Sequence, residues 1–154
     1  QEIRRLIGRA LRASVDLEAL GERQVIVDCD VIQADGGTRT ASVTGGYVAL
    51  RLALRQLIDD GVVLESVLGP AVAAVSAGIV HGETLCDLSY EEDAAADVDF
   101  NVVMNAKGQF VDVQGTAEGA PFGRERLDGM LSLAAKGIQR LLSIQAQALG
   151  EGEP

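Results

Sequence analysis

Two short runs in this chain combine residue types that could act together on a phosphorylated substrate. The first is Asp35-Gly36-Gly37-Thr38-Arg39-Thr40, where a strand-like segment gives way to a helix-like one. Paired glycines let the backbone approach a ligand closely, and the amides that open a helix point at whatever lies in front of them. Arg39 adds a planar cationic fork that suits phosphate. The run reads as an anion site, although a ligand-free turn between strand and helix fits the same residues. The second run is Glu91-Glu92-Asp93, followed by Asp97 and Asp99. Its spacing puts Asp93 and Asp99 at opposite ends of a short connection between strands. One tight helical turn over Ala94 to Val98 would bring both carboxylates to one cavity, whereas a solvated acidic loop is the plainer reading. Converging carboxylates suit a hard divalent cation or proton transfer.

Other chemistries find less support. His81 is the single histidine and falls in a turn, so a Ser-His-Asp or Cys-His triad would have to use a residue far in sequence from the carboxylates. Cys29 and Cys86 lie in strand-like runs and read as buried free thiols, which fits a reducing, cytoplasmic compartment. Two cysteines and one histidine make no zinc cluster. No Walker-type Gly-Lys-Ser/Thr run follows the glycines, which leaves an ATP-dependent kinase without its loop. No signal peptide is visible, and no apolar run is long enough to span a membrane. The net charge of -10 opposes nonspecific nucleic-acid binding by the chain as a whole. Positive charge is local: Arg4, Arg5, Arg9 and Arg12 crowd the first segment, where a solvated helix face is the ordinary explanation. Aromatic residues make up 3%, so no stacking platform for single-stranded RNA is apparent.

The elements that must position these residues follow from hydrophobic period. With 154 residues, 47% of them apolar, the chain can bury one sizeable core made of Val, Leu, Ile and Ala. Residues 2 to 14 place Ile3, Leu6, Ile7, Ala10 and Leu11 at helical spacing, with a further turn over Leu17 to Leu20 before Gly21. Gln24 to Gln33 alternates as a strand, with Val25, Val27, Cys29 and Val31 on one face. A helix is predicted from Thr40 to Asp60, with Val43, Tyr47, Leu50, Leu54, Leu57 and Ile58 inward and Gly61 as its stop. Two hairpins follow: Ala71–Val80 with Thr84–Ser89, turning at His81-Gly82-Glu83, and Asp99–Asn105 with Gln109–Gln114, turning at Ala106-Lys107-Gly108. The last helix is predicted over Gly123–Leu149, with Leu127, Leu131, Ala135, Ile138, Leu142 and Gln145 inward. Residues 150–154 read as a frayed, flexible tail. Helices mixed with antiparallel hairpins point to an α+β fold with one domain over residues 1–149.

Four runs in order resemble the ribonuclease PH family of phosphorolytic 3'-to-5' exoribonucleases. They are Glu2-Ile3-Arg4-Arg5-Leu6-Ile7-Gly8-Arg9, then Asp28 to Ser42 with the glycine run inside it, Tyr90-Glu91-Glu92-Asp93, and Val113-Gln114-Gly115-Thr116-Ala117-Glu118-Gly119. The resemblance implies the ribosomal-protein-S5 domain-2-like two-layer α/β sandwich, here N-terminally truncated. The family's chain is expected to be roughly 80 to 90 residues longer at its N-terminus, still within the length of one domain. Gln1 would then fall inside a family segment, just after an arginine that the family uses for phosphate. A piece without that arginine is expected to bind phosphate poorly or not at all, and the absent segment could join as a separate chain.

The implied activity is phosphate-dependent trimming of tRNA 3' ends, within tRNA and rRNA processing, with release of nucleoside diphosphates. Implied roles are phosphate binding for Gly37, Thr38 and Arg39, and catalysis with Mg2+ or Mn2+ binding for Asp93 and Asp99. Inorganic phosphate is the implied co-substrate, RNA the partner, and a homo-hexameric trimer of dimers the assembly. Ala94, Asp97 and Phe100 depart from the residues the family more often carries, but both key aspartates are retained. The alternative is a non-catalytic ring subunit of an exosome-like assembly, which would not need the glycine run or the aspartate pair. Polynucleotide phosphorylase, a related enzyme, carries two such cores and RNA-binding domains that this chain lacks.

Overall fold

The computed structural model describes residues 1–152. Its elements run α1 (Glu2–Arg12), α2 (Leu17–Leu20), α3 (Thr38–Asp59), a 3-10 turn at Glu65–Val67, β1 (Val72–Val80), β2 (Glu83–Cys86), α4 (Tyr90–Ala94), β3 (Ala96–Asn105), β4 (Phe110–Ala117) and α5 (Arg124–Ala148). The strands form one antiparallel sheet in the order β2-β1-β3-β4. His81 (φ 50°) and Gly82 (φ 82°) both adopt the left-handed region, as a two-residue hairpin turn requires.

Helices cover both faces of the sheet, so β1 is buried along its whole length. On one face Ala73, Val75, Ala77 and Ile79 of β1, with Val98, Phe100, Val102 and Met104 of β3, pack under α5. On the other, Val72, Ala74 and Val103 meet α1 and α3 through Leu6, Leu11, Val43, Tyr47, Leu50 and Leu54. Alternation over the regular part of the pair, residues 72–79 of β1 against 98–105 of β3, thus assigns even-numbered β1 residues and odd-numbered β3 residues to the α3 side.

Several elements differ from the sequence expectation, each for a local reason. Residues 24–33 keep the strand alternation, with Val25, Val27 and Cys29 half-buried, but form no ladder. Ile26 is 81% exposed and Ile32 96%. A ladder needs a neighbouring strand, and the sheet of the described residues contains none beside this segment. Strand β2 ends at Cys86 instead of Ser89. Asp87 (φ 61°) turns the chain, and its amide and that of Leu88 donate to the Ser76 carbonyl (2.7 Å) and hydroxyl (3.2 Å). In α5 the fully buried stripe is Met130, Ala134 and Ile138, while Leu127, Leu131 and Ala135 flank it half-buried. The apolar face is wider than one stripe, and a Cβ at Gly137 beside it would lie 2.9 Å from Cys86 Sγ and 3.7 Å from Val75.

Of the segment expected as a tail, Glu151 accepts from Arg51 Nε (2.9 Å) and Arg55 Nη2 (2.5 Å) on α3, and Arg55 Nη1 also reaches the Leu149 carbonyl (2.7 Å). Residues 153 and 154 lie outside the described residues. The two thiols are free but half-buried, not fully buried as expected, because Cys86 sits on the edge strand and Cys29 on the unpaired segment. No helix of the described residues is long and apolar enough to cross a membrane.

Candidate functional site

The glycine run forms the entry to α3, which begins at Thr38, two residues earlier than the apolar period suggests. Gly37 is its N-cap in the left-handed region (φ 71°), and no side chain caps the helix. Two of the three hydroxyls in these turns point the other way: Thr40 Oγ1 donates to the Gly37 carbonyl (2.9 Å) and Ser42 Oγ to the Thr38 carbonyl (2.8 Å). The first-turn amides of a 22-residue helix are therefore left for a ligand or water, and its dipole favours an anion there. Arg39 is half-buried beside them and pairs with no carboxylate among the described residues.

The loop is seated by close backbone contact. A Cβ at Gly36 would lie 1.9 Å from the Leu88 carbonyl oxygen, so only glycine fits. A Cβ at Gly37 would lie 3.3 Å from Ser76 Oγ on β1. Asp35 Oδ1 accepts from the amides of Gly36 (2.9 Å) and Tyr90 (2.6 Å). These two bonds hold the Asp35 carboxyl below its ordinary value of 3.8, the Tyr90 amide contributing most.

Tyr90 opens α4, the turn that carries Asp93. A capping box starts it: Ser89 Oγ accepts from the Glu92 amide (3.4 Å) and Glu92 Oε2 from the Ser89 amide (2.8 Å). The helical turn thus lies at Tyr90–Ala94 and includes Asp93, where the sequence suggested Ala94 to Val98. A strong N-cap sits ahead of the acidic run, and β3 already begins at Ala96. Asp97 and Asp99 both stand on β3; Asp99 lies on the α3 side of the sheet, and Asp97 falls at the bulge where the register against β1 shifts. Asp99 is paired with Gly78 of β1 and Asn101 with Ser76, the residue beneath Gly37. Asp99 is half-buried, and its Oδ1 accepts from Asn101 Nδ2 (3.0 Å), while Asp93 and Asp97 are exposed. The Val113–Gly119 run forms the second half of β4 and the two residues after it, with Thr116 opposite Asp99; the amides of Glu118 (2.9 Å) and Gly119 (3.3 Å) donate to the Asp97 carbonyl.

The glycine loop and the aspartate strand therefore occupy one side of the sheet, and α4 packs on β1 and β3 between them. A groove of about 520 Å³ opens beside the loop, lined by Asp28, Asp30, Asp35, Gly36, Thr38 and Ser42 among others. A slightly larger one, about 560 Å³, is apolar and lies between α1 and Val25–Val27, away from the carboxylates. His81 is an exposed turn residue. The α1 arginines are exposed, and Arg9 reaches Asp112 of β4 at 2.9 Å. Among the described residues no group of three or more His, Cys, Asp or Glu gathers to hold a metal. Asp93 and Asp99 offer oxygen donors only. That suits Mg2+, which takes one or two carboxylates and completes its shell with water and phosphate.

Three residues of this site have no counterpart among the sequence candidates: Asp35 as a tie, Ser76 and Asn101. Ser76 and Asn101 are buried polar residues inside otherwise apolar strands. That contrast is visible in the sequence once the strands are aligned.

Comparison with solved structures gives the fold first. Rice (Oryza sativa) Rrp46 superposes with a TM-score of 0.71 at 13% identity, over 97% of this chain and 65% of that one. An archaeal exosome core chain gives 0.65 at 18% identity, over 95% and 62%. Sequence then gives the family. Residues 1–56 match domain 1 of the 3' exoribonuclease family and residues 71–137 match its domain 2. Ribonuclease PH of Neisseria gonorrhoeae (strain NCCP11945) is 58% identical over 149 residues, 97% of this chain and 62% of that protein. Ribonuclease PH of Bacillus velezensis is 56% identical over 154 residues, 99% and 63%. The chain belongs to the ribonuclease PH group of 3' exoribonucleases and spans less than two thirds of the length of these relatives.

Proposed function

We propose that this chain carries the phosphate loop and the carboxylates of a phosphorolytic 3'-to-5' exoribonuclease, a nucleotidyltransferase that trims tRNA 3' ends. The observation that carries the reading is the uncapped, glycine-opened start of α3, with an unpaired Arg39, mounted over the sheet face that bears Asp99. Inorganic phosphate is held by the Gly37 to Arg39 amides, the Thr38 hydroxyl and the Arg39 fork. From there one of its oxygens attacks the terminal phosphodiester in line, releasing a nucleoside diphosphate and an RNA shortened by one nucleotide. The leaving 3' oxygen takes up a proton, and Asp93 and Asp99 stand on the side of the sheet where that charge develops. Asn101 fixes one oxygen of Asp99 and leaves the other for this task. Asp93 and Asp99 would also hold Mg2+ or Mn2+, which when bound supplies charge neutralisation of the phosphoryl oxygens.

The active protein includes an N-terminal segment, in the same chain or as a second one, whose strand pairs with residues 24–33 and satisfies their free amides. A homo-hexameric ring, a trimer of dimers, and a cytoplasmic setting complete this reading; the two free thiols suit the latter. The test uses this chain joined to the N-terminal part of the Neisseria relative that it does not span. With unstructured RNA, Mg2+ and phosphate, nucleoside diphosphates must appear, and only when phosphate is present. Arg39→Ala, Asp93→Asn and Asp99→Asn must each abolish them. A folded, RNA-binding protein that releases no diphosphate would instead be a ring subunit without chemistry.

A further inference from the structure

We infer that Asp35 is a positioning residue: it ties the glycine loop to the turn carrying Asp93 and so sets the spacing between phosphate and catalytic carboxylate. The inference rests on the reading just given and adds to it a residue that touches neither phosphate nor RNA. The geometry is a two-sided clamp. One carboxylate oxygen, Oδ1, holds the Gly36 amide (2.9 Å) inside the loop and the Tyr90 amide (2.6 Å) across the gap. The backbones meet at the same point, since a Cβ at Gly36 would lie 1.9 Å from the Leu88 carbonyl oxygen and 2.8 Å from the Ser89 carbonyl carbon. Contact prevents the loop from moving inward, and among the described residues the Asp35–Tyr90 bond is the one hydrogen bond that joins the loop to this turn against outward movement. Arg39 stands in the first turn of α3, directly after the loop that Asp35 holds, and Asp93 follows Tyr90 within the same short helix. A loss of the tie therefore changes the separation of the two reacting groups directly. The start of α4 is also held locally, by the Ser89–Glu92 capping box and by the Asp93 amide, which donates to the Ser89 carbonyl (2.8 Å). That box would keep α4 formed without Asp35, so the tie acts on position and not on helix formation.

The test measures phosphorolysis in the joined protein described above, with kcat and the KM values for phosphate and RNA. Asp35→Ala is expected to lower kcat about 10- to 100-fold, the size of loss a misplacement of about 1 Å produces, with the RNA KM unchanged. Asp35→Asn keeps an oxygen that accepts both amides and is expected to recover most of the rate. Asp35→Glu keeps the charge but moves the oxygen by one methylene, and is expected to stay slow. Amide exchange at Tyr90 and Gly36 is expected to accelerate in Asp35→Ala. Wild-type kcat in Asp35→Ala, or Asp35→Asn as slow as Asp35→Ala, would overturn the inference; so would unchanged exchange at Tyr90. If Asp35→Ala does not fold, the comparison of Asp35→Asn with Asp35→Glu decides: equal rates overturn it. An unmutated protein that yields no diphosphates refutes the exoribonuclease reading instead, and Tyr90 exchange still decides whether the tie exists.

Discussion

Replacing Gly36 by alanine isolates the backbone contact that seats the glycine loop. The added Cβ would stand 1.9 Å from the Leu88 carbonyl oxygen, where real Cβ contacts do not fall under 3.0 Å. The partner atom is backbone, held by the Leu88 amide bond to Ser76 Oγ and by the capping box that follows, so it cannot turn aside. Loop and turn must separate by about 1.1 Å to bring the contact out to 3.0 Å. Overpacking of this kind costs about 1–3 kcal/mol. In a protein of this size that lowers Tm by about 2–12 °C. The functional loss should be larger than the stability loss, because a displacement of about 1 Å at a reacting group costs on the order of 100-fold in rate. The assay is calorimetry of the joined protein beside phosphorolysis at saturating phosphate. Because Asp35 is drawn away from Tyr90 as the loop withdraws, Gly36→Ala and Asp35→Ala should not be additive in rate. A Gly36→Ala protein with unchanged Tm and unchanged rate would refute the claim that the loop is clamped at Leu88.

Three further outcomes follow from single residues. Gln145 is buried, its Nε2 donating to the carbonyls of Thr44 (2.9 Å) and Val72 (3.0 Å) while its Oε1 has no partner. Gln145→Leu should cost about 1–3 kcal/mol in denaturant titration, and Gln145→Glu more, since a carboxylate would face two carbonyls. Asp112 is 7% exposed and its Oδ2 lies 2.9 Å from Arg9, close enough for an ion pair although the geometry is not that of a hydrogen bond. Arg9→Ala should cost about 1–2 kcal/mol, and much less in an Asp112→Asn background, because the penalty comes from the stranded carboxylate and not from the exposed arginine. The Asp35 carboxyl is depressed below 3.8 by the Tyr90 and Gly36 amides. A native value below the unfolded one means that its contribution is complete above pH 3.8 and is lost as pH falls through the lower native value. Carboxyl carbon NMR should show Asp35 titrating below 3.8, and titration at or above that value would contradict the tie to Tyr90.

How much of this could be read from the sequence depends on which interactions are local. The hairpin at His81-Gly82, the stop at Gly61 and the inward faces of α1 and α3 are set by period and turn chemistry and fall where the pattern places them, except that Ile3 on the first turn of α1 is exposed. Gly37, Thr38 and Arg39 could be read as an anion loop because a helix start after paired glycines is a local signal. What the pattern could not carry is pairing. Residues 24–33 have every mark of a strand, yet a strand exists only beside another, and the described residues provide none. The same applies to Asp93 and Asp99. Their common side of the sheet follows from the register of β3 against β1 and from a helical turn fixed by Ser89, neither of which the acidic run itself contains. Asp35 shows the point most plainly. In the sequence it is one polar residue ahead of a glycine pair, and its partner amide stands far along the chain at Tyr90. Its role becomes visible only when the glycine it precedes is seen pressed against Leu88, since a loop held that close from below needs a bond to keep it from moving away.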